Sequence, residues 1–305
     1  ENRVRGMIYT ISLAGKSVQV KGSGLNISFN TDDVLLQAAN MGAAGLFSTE
    51  SRALTTQADA SVRDIERGIR AAAAELKREA KDAKVSLASG GEFAIAADEA
   101  GQEVDTAKLA EEIREYVRRG EGGAIAAPYS MIYPEYTVEQ ARNDTQLIAE
   151  FTTYFKGSTY GIVKASGLID KCVVEPGDIF SINRVLGERN EKNGWSVAAG
   201  IKDGAYVQEY GGGVCQVSTT LYNALLMADM HIVERHHHSW PLGYVDIGRD
   251  ATISTGGPDL RFENTSGAAL FILSETDEKQ KRITVKLYGR PLADGVSIEL
   301  SSKKV

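Results

Sequence analysis

The chain has 305 residues, a length that favours two domains of ordinary size over one. Apolar residues make up 43% and charged residues 25% of it, the proportions of a globular protein with a substantial buried core. The formal net charge of −7 argues against a nucleic-acid partner, because binding to phosphate groups requires clustered lysine and arginine.

The first part of the chain predicts a hairpin followed by helices. Polar and apolar residues alternate over residues 1–30, which is typical of paired strands. An alanine-rich helix is predicted over residues 59–83. A further amphipathic helix is predicted to begin at Asp105 and to end at Gly120, since glycine favours the left-handed conformation that closes many helices.

The middle of the chain predicts a linker and then a helix. Residues 122–134 contain two prolines and several small side chains, so we interpret them as the linker between two domains. Thr137 and Gln140 fit a capping box, in which the two side chains satisfy free N–H groups at a helix start. A helix is therefore predicted from Thr137 to about Tyr154.

Beyond Gly157 the composition changes to short strand-like segments separated by turn residues, with one helix predicted at 216–230. The sequence therefore predicts an α+β fold. We expect an N-terminal α+β domain at 1–143, and a β-rich domain with one core helix at 144–305, whose core covers about 150–290.

Every histidine of the chain lies shortly after a glycine turn that ends in cysteine. The turn ends at Cys215, and the histidines are His231 and the run 236–238. The glycines permit a tight turn, so Cys215 is expected at a helix start. There the unpaired N–H groups and the positive end of the helix dipole favour a thiolate and could stabilise an oxyanion.

The residues around these histidines offer a general base and a group to orient it. In an extended segment, His236 and His238 point to one face and His237 to the other, so either of the first two could deprotonate the cysteine. Asp250 is available to orient the imidazole, and Arg249 to hold a substrate carboxylate.

Three interpretations of this pattern remain open. Cys215 is a nucleophile, or a structural residue of the core, or one ligand of a zinc ion completed by His236, His238 and Asp250. Cys172 is most simply a core residue, although a single Cys172–Cys215 disulfide is also possible.

Several motifs in the C-terminal half together resemble the VanW domain. The most specific is Gly-Gly-Gly-Val-Cys-Gln-Val-Ser-Thr-Thr at 211–220. It is joined by Phe-Ser-Ile-Asn at 180–183, Glu-Arg at 234–235, His-Ser at 238–239 and Gly-Arg-Asp-Ala-Thr at 248–252. The N-terminal half is similar to the peptidoglycan-binding domain that often precedes VanW.

The resemblance implies a cell-envelope protein of Gram-positive-type bacteria, on the extracellular face and tethered by a membrane segment N-terminal to Glu1. It also implies a peptidoglycan L,D-transpeptidase that forms 3-3 cross-links through a cysteine thioester, with Cys215 as the nucleophile. His238 matches the family's His-Ser position best, ahead of His236. Glycan strands and stem peptides are the implied partners, and no cofactor or metal is expected.

In this mechanism the start of the predicted helix contacts the substrate through Gly213, Gln216 and Ser218, and the Gln216 N–H helps to stabilise the oxyanion. Arg249 or Tyr244 contacts the stem carboxylate, and Asp250 orients the base. The alternatives are a non-catalytic wall-binding protein with a structural cysteine, and a zinc-dependent peptidoglycan hydrolase.

Overall fold

The computed structural model describes residues 1–44, 53–88, 90–157, 159–202 and 205–303. It divides into two compact units, which are described separately. The first consists of Glu1–Ala83 and Ala97–Tyr136, and the second of Lys84–Ala96 and Thr137–Val305. The predicted boundary between residues 143 and 144 stays a prediction, because units defined by contacts need not fold independently.

The fold is α+β as predicted, because helices are combined with sheets whose strand pairs in the described ranges are antiparallel, except for the pair of Ile8–Leu13 with Gly123–Ala126. The α-helices are α1 Asn2–Arg5, α2 Thr31–Ala44, α3 Val62–Leu76, α4 Thr106–Arg119, α5 Val138–Asn143, α6 Tyr160–Ile169, α7 Ile182–Leu186 and α8 Val214–Met227. The strands are β1 Ile8–Leu13, β2 Lys16–Lys21, β3 Ser28–Phe29, β4 Ala58–Asp59, β5 Lys84–Leu87, β6 Phe93–Ala96, β7 Gly101–Val104, β8 Gly123–Ala126, β9 Tyr129–Ile132, β10 Gln146–Tyr154, β11 Cys172–Val174, β12 Ile179–Ser181, β13 Val197–Lys202, β14 Ala205–Tyr210, β15 His231–Glu234, β16 Arg261–Glu263, β17 Leu270–Asp277 and β18 Arg282–Gly289.

In the first unit, α3 and α4 cover a small sheet in which β1 is antiparallel to β2 and parallel to β8. The predicted hairpin is confirmed as β1 and β2. The predicted helix ends at Asp105 and Gly120 are also confirmed: the Asp105 side chain accepts from the Lys108 N–H, and Gly120 has φ +66°. The apolar stripe of α4 is fully buried, which is why the helix packs here.

Two predictions for this unit were wrong. Residues 122–134 are not a linker, because they form β8 and β9. The helix predicted over 59–83 is shorter, because Ser61 caps it at its start and the backbone of Lys77 is extended at its end.

The second unit is built on an antiparallel sheet with the strand order β10-β18-β17-β11. The helix predicted from Thr137 ends at Asn143, although its capping box is present, and residues 146–154 form β10 instead. Long-range pairing with β18 overrides the helical pattern here, and Phe151, Thr152 and Thr153 are side chains that favour strands. The hairpin of β5 and β6 belongs to this unit through Phe93, whose ring lies 5.0 Å from that of Phe271.

Helix α8 packs against β10 and β18 and is the central helix of the second unit. It confirms the helix predicted at 216–230. Polar contacts add to its apolar packing: Gln216 Nε2 donates to Thr153 Oγ1 at 2.9 Å, and the hydroxyl groups of Thr153 and Thr220 lie 2.8 Å apart. The start of α8 therefore has a fixed position on the sheet. None of the helices in the described ranges is both long and apolar enough to cross a lipid bilayer.

Candidate functional site

The candidate site lies at the start of α8, where a glycine turn leads into the helix. Gly213 is the N-cap and has φ +94°, a conformation that favours glycine. A Cβ atom on Gly213 would lie 2.8 Å from Ile162 Cγ1, and one on Gly161 would lie 2.1 Å from the carbonyl oxygen of Gly212. The close approach of α6 to the turn therefore requires glycine on both sides.

Cys215 is the second residue of α8 and is partly buried. Its Sγ donates to the carbonyl oxygen of Ile253 at 3.4 Å and lies 3.7 Å from Thr252 Oγ1. The N–H of Ile253 in turn points at Sγ from 3.5 Å. An N–H donor and a helix N-terminus both stabilise negative charge on sulfur, so this environment is suited to a thiolate.

His238 connects Cys215 to Asp250. Its Nδ1 lies 2.6 Å from Asp250 Oδ2, and its backbone N–H donates to the same oxygen at 2.6 Å. The imidazole is also near enough to Cys215 to lower the pKa of the thiol, and the thiol in turn raises the pKa of the imidazole. Because Nδ1 faces the carboxylate, Nε2 is the nitrogen left for the thiol. The three side chains are thus arranged as the nucleophile, base and orienting group of an acyl-transfer site would be.

The two candidate bases lie in different places, although the assignment of the base itself stays a prediction. Strand β15 ends at Glu234, so residues 235–238 do not continue the alternation on which the pairing of His236 with His238 was based. The side chain of His236 is 49% exposed, and its Nε2 lies 3.1 Å from Glu234 Oε1. His238 is the histidine that the structure brings to Cys215.

Electrostatics favours a charged form of this pair. Burial, the largest single influence, raises the pKa of the Cys215 thiol, but His238 and the Ile253 N–H together outweigh it and lower the pKa from its ordinary value. Burial likewise lowers the pKa of His238, but its contacts with Cys215 and Asp250 raise it overall. A lower thiol pKa and a higher imidazole pKa both extend the pH range in which thiolate and imidazolium coexist.

Cys172 provides an internal reference for the reactivity of Cys215. Both cysteines are free and partly buried, so the possible Cys172–Cys215 disulfide is not formed. Burial, followed by the charge of Asp170, raises the pKa of the Cys172 thiol. The two thiols are therefore similar in their exposure to solvent, but their pKa values are shifted in opposite directions.

We expect iodoacetamide at pH 6.5 to alkylate Cys215 at least about tenfold faster than Cys172, since each unit of pKa difference changes the thiolate fraction about tenfold well below both values. The Cys215 rate should fall as the pH drops through its lowered pKa, whereas Cys172 should react appreciably only at alkaline pH. Mass spectrometry of the single-thiol variants Cys172→Ala and Cys215→Ala measures each rate. Equal, slow labelling of both would contradict the predicted thiolate.

Two of the predicted substrate contacts point into the protein. Ser218 is fully buried and its hydroxyl donates to the carbonyl oxygen of Ala251 at 2.6 Å. The buried Gln216 side chain binds Thr153, and its backbone N–H donates to the Gly213 carbonyl oxygen at 3.0 Å. These positions fix the helix start rather than face a ligand, because their hydrogen-bonding groups are already engaged.

Gly213, a third predicted contact, is the N-cap of α8, and the remaining two, Tyr244 and Arg249, differ from each other. Tyr244 lies near the site: burial, with the charge of Cys215 as a further cause, raises the pKa of its hydroxyl. The Arg249 guanidinium instead pairs with Asp246 and lies over the Phe151 ring. Its predicted role as a carboxylate partner therefore gains no support from its position.

The zinc interpretation requires four ligands that the structure does not bring together. His236 is paired with Glu234, and Asp250 with His238. In the ranges that the structure describes, no group of three or more His, Cys, Asp or Glu side chains is arranged to hold a metal ion.

A cavity of about 330 Å³ adjoins the His238–Asp250 pair. Its other walls come largely from the loop that follows His238, including Trp240 and Ile247, which are 56% and 60% exposed. The volume lies at the lower end of the range for small-ligand pockets. An apolar group of a ligand could therefore lie directly beside the base.

Sequence reasoning missed Arg235 as part of the site. Its Nε donates to the Asp250 carbonyl oxygen at 2.6 Å, and one of its terminal nitrogens donates to Asp250 Oδ1 at 3.0 Å. The Glu-Arg pair at 234–235 was visible among the motifs, but nothing in the spacing indicated a contact with a residue fifteen positions later.

The fold and this geometry define the class as an α+β protein with a Cys–His–Asp cluster at the start of a buried helix. Residues 158–288 match the family described as "VanW like protein", and residues 18–126 match the family described as "Putative peptidoglycan binding domain". The chain thus contains a VanW-like domain preceded by a domain of the peptidoglycan-binding type, and the resemblance found in the sequence is confirmed. The second description names peptidoglycan, the polymer of the bacterial cell wall.

The chain spans about half the length of the curated relatives it matches. It is 40% identical over 153 residues to "Uncharacterized protein YoaR" of Bacillus subtilis, which covers 48% of this chain and 50% of that protein. It is 25% identical over 146 residues to "Vancomycin B-type resistance protein VanW" of Enterococcus faecalis, which covers 46% and 51%.

Two solved structures also align with the chain. One is the avibactam carbamoyl enzyme of Ldtfm, with a TM-score of 0.25 and 9% identity over 68% of this chain and 72% of that one. The other is an Enterococcus faecium L,D-transpeptidase mutant, with a TM-score of 0.24 and 8% identity over 68% and 73%. Likenesses at these TM-scores carry no argument about fold or activity.

Proposed function

We propose that this protein is a peptidoglycan L,D-transpeptidase that forms 3-3 cross-links through a cysteine thioester. The observation that carries the proposal is the line of contacts from Asp250 through His238 to Cys215 at the start of α8. This arrangement lies inside the VanW-like domain of a chain that also has a peptidoglycan-binding-type domain. We place the protein on the extracellular face of a Gram-positive-type envelope, tethered to the membrane.

In the first step the Cys215 thiolate attacks the carbonyl carbon of the L-centre residue at position three of a stem peptide. A C–S bond forms as the peptide bond to the terminal D-amino acid breaks, and the His238 imidazolium gives its proton to the departing amine. A thioester remains, and the imidazole is neutral. Asp250 keeps Nδ1 engaged, so that Nε2 carries the transferred proton.

In the second step the amine of a neighbouring stem attacks the thioester. Neutral His238 accepts a proton from this amine, an amide bond forms, and the C–S bond breaks to restore the cysteine. The acceptor must outcompete water, because attack by water would make the protein an L,D-carboxypeptidase instead. Apolar side chains line much of the cavity beside His238, so an acceptor stem that packs there would displace water from this side of the pair.

The test is incubation of the full chain with a tetrapeptide-stem muropeptide, followed by mass spectrometry. We expect a covalent adduct on Cys215 that has lost the terminal D-amino acid, and a cross-linked dimer. Both should disappear in Cys215→Ala and persist in Cys172→Ala, the matched control. Equal products from wild type and Cys215→Ala would reject the enzymatic proposal, and binding to insoluble peptidoglycan without any product would favour a wall-binding protein with a structural cysteine.

A further inference from the structure

Arg235 makes three hydrogen bonds to the segment that contains Asp250. Its Nε donates to the Asp250 backbone oxygen at 2.6 Å, and Nη2 donates to Asp250 Oδ1 and to the Gly248 oxygen, each at 3.0 Å. A planar guanidinium presents its donors in a fixed geometry, which lets one side chain hold the backbone and the carboxylate of the same residue. These hydrogen bonds thereby restrict rotation of the Asp250 carboxylate.

The two carboxylate oxygens of Asp250 have separate partners. Arg235 occupies Oδ1, and His238 contacts Oδ2 through both its backbone N–H and its Nδ1. The side chains of Arg235, His238 and Asp250 are 21%, 11% and 12% exposed, so water has little access to replace a lost contact. Without Arg235, one oxygen would lose its ion pair and the carboxyl group could rotate away from the imidazole.

Arg235 also contacts the helix that contains the cysteine. Its guanidinium lies 5.3 Å from the ring centroid of Tyr222, which belongs to the same α8 that begins beside Cys215. A cation over a tyrosine ring is attracted to the electron-rich face of the ring. Arg235 thus joins Asp250, which orients the base, to α8, which positions the nucleophile.

We propose that Arg235 is a positioning residue that sets the contact between His238 and Cys215 by holding Asp250. This inference rests on the proposed function for its significance, because the contact matters only if Cys215 reacts. Arg235 lines part of the cavity beside His238, but its Nε and Nη2 are hydrogen-bonded to Asp250 and Gly248, and these hydrogen bonds carry the proposed role. It acts through Asp250, so its effect should vanish when Asp250 can no longer accept from His238 as a carboxylate.

The titratable groups that interact with the His238–Cys215 pair in the described ranges include Asp250, which Arg235 holds, and Tyr244. Burial raises the pKa of the Tyr244 hydroxyl, which keeps it neutral at the pH of the test. Glu234 is engaged with His236 and Arg261. A change in thiol titration that Arg235→Ala and Asp250→Asn share, and that does not grow in the double variant, can therefore be assigned to the Arg235–Asp250 contact rather than to the contacts of Arg235 with Gly248 and Tyr222.

The test is a double-mutant cycle on the full chain in the Cys172→Ala background, with iodoacetamide alkylation of Cys215 at several pH values as the measurement. We expect Asp250→Asn and Arg235→Ala each to lower the alkylation rate at pH 6.5 about tenfold. This is the loss that follows when the thiol pKa rises by about one unit and the thiolate fraction falls accordingly. The double variant should be no slower than either single variant, because both break the same contact. Arg184→Ala, which removes an exposed arginine that binds a backbone carbonyl of the same unit, should keep the wild-type profile.

A wild-type pH profile for Arg235→Ala, or a double variant whose loss is the product of the single losses, would overturn the assignment. If Arg235→Ala does not fold, as judged by its melting curve, Arg235→Lys decides by the same cycle, since it keeps the charge and loses the planar fork. The alkylation readout needs no peptidoglycan, so a failure of the cross-linking reaction leaves this result standing. Conversely, cross-linking that is lost in Asp250→Asn and unchanged in Arg235→Ala rejects only the role of Arg235.

Discussion

The variant His238→Ala is expected to form the acyl-enzyme at least about a hundredfold more slowly than the wild type, and up to about ten-thousandfold, which is the range for loss of a general acid–base group. The physical reason is twofold. The thiol loses the imidazole that lowers its pKa, and the departing amine loses its proton donor. The initial rate of adduct formation with a tetrapeptide-stem muropeptide, followed by mass spectrometry, measures the effect.

The control for this prediction is His236→Ala, which removes a neighbouring imidazole from the same segment. His236 is exposed and contacts Glu234, so we expect its replacement to change the rate by no more than about twofold. A large loss in His236→Ala together with normal activity in His238→Ala would show that the base had been assigned to the wrong histidine.

The variant Gly161→Ala is expected to destabilise the second unit by about 1–3 kcal/mol, the usual cost of overpacking. The new methyl group would lie 2.1 Å from the Gly212 carbonyl oxygen, so either α6 or the glycine turn must move. Because the turn precedes Cys215 directly, we also expect slower alkylation of this thiol. Thermal denaturation measures the first effect and iodoacetamide labelling the second.

Gly167→Ala in the same helix is the matched control. Nothing lies within 4 Å of a Cβ atom at Gly167, and alanine is the better helix former by roughly 0.8–1 kcal/mol. This variant should therefore be slightly more stable than the wild type and keep its thiol reactivity. If both variants were stabilised alike, the close approach of α6 to the turn would not exist in solution.

Local signals were sufficient for those elements whose ends are determined by their own side chains. Helix α4 is an example, because Asp105 caps its start and Gly120 closes its end. Residues 146–154 show the opposite case. The capping box at Thr137 and Gln140 does start a helix, α5, but the segment that follows pairs with β18, a strand more than a hundred residues later, and no local pattern contains that information.

The same distinction applies to the candidate site. Cys215 and Asp250 could be singled out by residue type and spacing, and the VanW resemblance favoured His238 over His236. Strand β15 ends at Glu234, before both histidines, so His236 and His238 are not held on one face of a strand. Alternation alone could not predict this strand end. Arg235 was missed because its importance comes from a hydrogen bond to the far end of a loop.

The buried hydroxyl contacts at the start of α8 have a consequence for motion during turnover. Apolar packing allows a helix to slide or rotate by small amounts, because one methyl group can replace another. The hydrogen bonds of Thr153 with Gln216 and Thr220 have no such tolerance, since a shift of about 1 Å would leave buried donors and acceptors unmatched. Helix α8 should therefore stay in place during turnover. In the proposed reaction, the loop between His238 and Asp250 should be the part that moves to admit a stem peptide and to release the cross-linked product.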